Sequence, residues 1–110
     1  MVGAINEINT VSILTTSWNT TYINAGSLTA YKCGKIVFIK AYFRSTNGFN
    51  ANTNFGTISG ITLKDVIYES AYGSGGQSIR LKVNTDGTLE NESAAQANSW
   101  YSFSAVGIEA

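Results

Sequence analysis

Residues 31–44 read YKCGKIVFIKAYFR, and the alternation within them decides the fold. Successive side chains of a strand point to opposite faces. Val37, Ile39, Ala41 and Phe43 therefore form one unbroken apolar face. Ile36, Phe38, Lys40, Tyr42 and Arg44 form the other, apolar at one end and charged at the other. A half-buried strand needs only one apolar face. The spacing assigns Val37, Ile39, Ala41 and Phe43 to the core. It leaves Ile36 and Phe38 to be covered by a second layer or a second chain.

The same alternation continues on either side, between clusters of Gly, Asn and Ser. Strands are expected over residues 11–18, 28–33, 35–44, 55–58, 65–72, 78–84, 88–90 and 99–108, which is about eight short strands. Ile79, Leu81 and Val83 point inward, with Arg80, Lys82 and Asn84 outward. That run ends in Asn84-Thr85-Asp86-Gly87, a hairpin turn in which Gly87 supplies the positive φ. Tyr101, Phe103 and Ala105 share one face of the last strand, and Ser102 and Ser104 the other. Residues 94–97 allow one short helical turn, and residues 45–54 read as an Asn-rich loop exposing Phe49. The predicted fold class is all-β, an antiparallel β-sandwich or jelly-roll-like barrel.

A chain of 110 residues is one domain. Charged residues make up only 13%, so Asn, Ser, Thr and Gly must supply the polar surface, a surface prone to association. The formal net charge is zero and no basic run exists, which argues against nucleic acid as a partner. Residues 1–10 (MVGAINEINT) have neither the basic start of a signal peptide nor the length of a membrane span. The single Cys33 lies in the apolar strand and reads as a buried thiol. The sequons at Asn19 and Asn91 read as coincidence without a signal peptide.

Chemistry is sparse. There is no histidine, which removes the commonest general base and the commonest metal ligand together. Asn47, Asn50, Asn52 and Asn54 offer neutral oxygens only, a polar loop rather than a calcium cage. The Gly-rich stretch 73–77 precedes a strand, whereas a phosphate cradle needs a helix N-terminus. No metal or cofactor is expected, and no catalytic residue is assigned.

Aromatics are the remaining resource. Flat rings stack on the CH faces of sugars, and Asn, Asp, Arg and Gln hydrogen-bond around them. Most aromatics in a small β domain are core, and Trp18 and Trp100 are expected to be largely buried. Tyr72, beside the glycine loop, and Arg80, facing outward near it, are candidate ligand-binding residues. Asn84 and Asp86 join them as candidates from the far end of the same strand. Ile36, Phe38 and Tyr42 are candidate subunit contacts.

The order of landmarks resembles a known family. It runs Trp18, Gly26 with Leu28, then Tyr31-Lys32-Cys33-Gly34-Lys35-Ile36-Val37, then Gly56-Thr57-Ile58. Ile79 to Val83 follow, with Asp86-Gly87-Thr88-Leu89 and Trp100-Tyr101 before the last strand. This pattern resembles the C-terminal head domains of tail fibre and receptor-binding proteins from phages of Gram-positive bacteria. It departs from them at residues 60–64, where those domains often carry proline and this chain has none. The resemblance implies a homotrimeric head at the end of a longer chain, carried on the virion tail. It also implies binding of host cell-surface carbohydrate, with no insertion into the membrane. A structural β-module of a virion or adhesin with no ligand of its own is the alternative. A carbohydrate-active enzyme is the least favoured reading.

Overall fold

The computed structural model describes residues 11–110, and those residues are all β. Nine strands form one curled antiparallel sheet. In chain order they are β1 (Val11–Ile13), β2 (Thr16–Trp18), β3 (Ile23–Cys33), β4 (Ile36–Ser45) and β5 (Asn54–Ile58). Then come β6 (Ile67–Gly73), β7 (Ile79–Val83), β8 (Thr88–Asn91) and β9 (Trp100–Ile108). Their order across the sheet is β1-β3-β4-β9-β6-β7-β8-β5-β2.

Two local devices set the curl. Gly26 has φ +127, and a Cβ there would lie 2.0 Å from the Tyr42 carbonyl oxygen. Only glycine lets β3 approach β4 so closely, beside the register shift between Ile23 and Ala25. The second device is β6, which changes partners along its length. Ile67 to Ala71 pair with β7, whereas Tyr72 and Gly73 pair with β9.

The core lies inside the curl. Val37, Ile39, Ala41 and Phe43 are buried, as their alternation predicts. Phe43 meets Phe55, Tyr101 and Trp18 at ring-centroid distances of 5.2, 5.7 and 5.1 Å. Ile79, Leu81 and Val83 close the core from β7, and Tyr101, Phe103 and Ala105 from β9. Each large side chain so buried contributes about 1.5–3 kcal/mol. The Asn84 to Gly87 turn forms as read, with the Gly87 amide donating to the Asn84 carbonyl at 2.9 Å and φ +88 at Gly87.

Several expectations are corrected. Residues 11–18 make two strands on opposite edges of the sheet, not one. The Leu14 amide bonds the Ala30 carbonyl and the Thr15 carbonyl accepts from the Ser59 amide, so the chain changes partner between them. β3 begins at Ile23 rather than residue 28. Residues 94–97 form no helix; Ala95 bridges Phe49, and their main chains bond reciprocally at 3.1 and 2.9 Å. That bridge buries Phe49 against Tyr22 and Phe55, so its ring is core and not exposed. Cys33 is half-buried rather than buried. Trp18 and Trp100 are likewise half-buried.

Candidate binding face on the outer sheet

Residues paired across a sheet share a face, so the register of β1, β3, β4 and β9 sorts their outward side chains into rows. The first row is Val11, Cys33, Ile36 and Ile108, and the second is Ile13, Tyr31, Phe38 and Val106. The third is Thr29, Lys40 and Ser104. The fourth runs Ser27, Tyr42, Ser102 and Tyr72, and the fifth Ala25, Arg44 and Trp100. One face thus carries two chemistries, divided at Lys40.

The first two rows hold no charged side chain. Ile13 is 85% exposed, and Val11, Ile36, Val106 and Ile108 each leave about half of their surface in water. Tyr31 and Phe38 stack at 5.6 Å and 27°. A solvated sheet face is normally polar, so this cluster of exposed apolar side chains sets the face apart and makes it a candidate contact surface.

The last two rows are amphipathic. Tyr42 and Trp100 stack face to face at 4.6 Å and 15°. Tyr72, 67% exposed, stands across Ser102 from Tyr42. Arg44 is tethered to the Asn98 carboxamide oxygen at 3.1 Å, which holds it beside Trp100. An open groove of about 520 Å³ borders this platform, lined by Lys40, Tyr42, Glu69, Tyr72, Ser102 and Ser104 among others.

The candidate ligand residues fall in three places. Tyr72 lies on the platform. Arg80 is on the neighbouring wall, paired with Ser70, 2.9 Å from Glu92 and 5.7 Å from the Tyr68 ring centroid. Asn84 and Asp86 are at the opposite end of β7 and serve the hairpin. The Asn84 carboxamide donates to Thr88 Oγ1 and Glu90 Oε1. Asp86 Oδ1 accepts from the Thr88 hydroxyl at 2.7 Å and its amide at 3.1 Å. Those bonds, the hydroxyl's first, hold the Asp86 carboxyl below its ordinary range.

Of the candidate subunit contacts, Ile36 and Phe38 fall in the apolar rows and Tyr42 in the aromatic ones. Sequence reasoning placed Lys40 on the outer face but not among the site residues, and it expected Trp100 to be largely buried. The signal for Trp100 was its parity with Ser102 and Ser104, which sets it outward. Among the described residues, no group of three or more His, Cys, Asp or Glu side chains could hold a metal ion. The chain matches no protein-family model and no curated protein.

Proposed function

We propose that this protein is a non-enzymatic binding module, the homotrimeric head of a phage tail fibre or receptor-binding protein, recognising saccharide on the bacterial surface. In this reading the curled sheet is a jelly-roll-like barrel whose outer face divides the work. The aromatic rows hold the sugar, and the apolar rows meet neighbouring subunits. The observation that carries the reading is the Tyr42–Trp100 stack beside exposed Tyr72, set among serines. Flat rings with a polar rim suit the CH faces and hydroxyl edges of a pyranose. Tyr42 accordingly moves from the subunit contact to the ligand platform. The apolar rows favour a second reading, an assembly module with no ligand of its own.

A glycan array and a cell-wall pull-down separate the two. Binding by the wild type, with a loss of about tenfold in Tyr72→Ala, is the expected result. Tyr72 is exposed, so its truncation leaves the fold intact. Failure to bind any surface glycan at high valency would leave the assembly role.

A further inference from the structure

We propose that the opened ladder between β6 and β9 is a main-chain hydrogen-bonding slot for the hydroxyls of a neutral saccharide. The inference rests on the saccharide reading above and specifies how that ligand is held.

Hydrogen-bond direction alternates along a strand, so a few known bonds fix the rest. The Trp100 carbonyl accepts from the Ser74 amide and the Ile108 carbonyl from the Lys64 amide. Even-numbered residues of β9 therefore direct their main-chain groups toward β6. On β7, the Arg80 carbonyl accepts from Glu92, and the Asn84 amide donates to Thr88. Its odd-numbered residues accordingly serve β6, where they meet Ile67, Glu69 and Ala71. Tyr68, Ser70 and Tyr72 are left facing β9.

Only one of these facing pairs is joined. Tyr72 pairs with Ser102, and the ladder then stops. Continued in register, it would join Ser70 to Ser104 and Tyr68 to Val106. Instead, grooves lie between the strands there. The opening is lens-shaped, because the strands meet again at its far end. Leu63 bridges Glu109, and a Cβ on Gly107 would lie 2.6 Å from Ile67 Cδ1. From Ser102 to Ile108 the slot is about 20 Å long.

The amides and carbonyls of Ser70, Ser104, Tyr68 and Val106 thus have no ladder partner. All four residues are exposed, which puts these groups within reach of solvent or a ligand. Each residue offers one donor and one acceptor, a match for hydroxyls, which both donate and accept. A third strand is a poor occupant, since it needs about 4.8 Å on each side and the strands converge at both ends. Lys40 and Glu69 both line the slot, so its charges balance and favour a neutral ligand over a polyanion. Tyr72 stands at one end to stack the ring whose hydroxyl edge enters.

Amide exchange and NMR titration of the 15N-labelled protein test this. In the free protein, the Ser104 and Val106 amides are expected to exchange at least about 100-fold faster than Phe103 and Ala105, which bond β4. Equal protection would mean a closed ladder and would overturn the inference. The probes are cellohexaose, chitohexaose and maltohexaose, with a heparin hexasaccharide as the anionic comparison. At least one neutral probe is expected to shift the slot amides and slow their exchange by about tenfold. Shifts confined to Tyr42, Tyr72 and Trp100 would sink the slot and spare the saccharide reading. Preference for heparin, or silence toward every neutral probe, would also overturn the inference, while the array result still decides the saccharide reading.

A variant pair isolates the main chain. Ser104→Ala keeps the amide and is expected to bind within about twofold of the wild type. Ser104→Pro removes a donor that serves no ladder and is expected to lose about fivefold or more. The reverse order would assign recognition to the Ser104 hydroxyl. Should the proline variant not fold, the exchange and titration results stand alone.

Discussion

Asn91 shows how much one side chain can hold. It is fully buried at the end of β8, yet every polar atom of its carboxamide is used. Oδ1 accepts from the Thr53 amide at 3.0 Å, and Nδ2 donates to the carbonyls of Asn50 and Ser93 at 2.8 and 2.9 Å. The residue pins the 45–54 loop over Phe49. Asn91→Ala leaves these loop groups without partners and is expected to cost about 3 kcal/mol in urea denaturation. Its sequon is closed to modification in the folded chain, because the acceptor nitrogen is inside the protein.

β4 and β7 respond to substitution according to the face struck. Val37 is fully buried, so Val37→Asp places an unpaired charge in the core. The expected loss exceeds about 4 kcal/mol and leaves an unfolded circular dichroism spectrum. Arg80 has most of its side chain in water, and its pair with Glu92 is a surface ion pair. Arg80→Ala is expected to cost under about 1 kcal/mol in the same assay.

β4, β7 and β9 were legible because their alternation is clean and local. The Asn84 to Gly87 hairpin was legible because turn chemistry is local too. The first half of β3 was not, since INAGS lacks alternation and pairs only because β4 is already there. Phe49 misled in a polar neighbourhood, where burial came from the distant bridge to Ala95. The partner change inside β6 has no sequence signal, and it is what sets Tyr72 beside the aromatic rows. Tyr72 could be seen as exposed. Its position across Ser102 from Tyr42 could not.

At the scale of the molecule, the proposed assembly rests on the outer face. Rows of Val, Ile, Phe and Tyr spread over β1, β3, β4 and β9 without a charge to solvate them. Light scattering at micromolar concentration is expected to return a trimer. Ile36→Lys with Val106→Lys is expected to give a folded monomer, since both side chains are exposed in the single chain. A wild type that is strictly monomeric would remove the subunit reading of Ile36 and Phe38.

β1 and β2 are neighbours in sequence, yet they form the opposite edges of the sheet. Only Leu14 and Thr15 join them, anchored to Ala30 on one side and Ser59 on the other. This short span works as a clasp. β2 also reaches β3 directly, the Thr16 hydroxyl donating to the Leu28 carbonyl at 2.6 Å, so the clasp draws the two margins together over β3. A nick between Leu14 and Thr15 is expected to weaken both margins together, since β1 would then rest on β3 and β2 on β5 without the covalent tie between them.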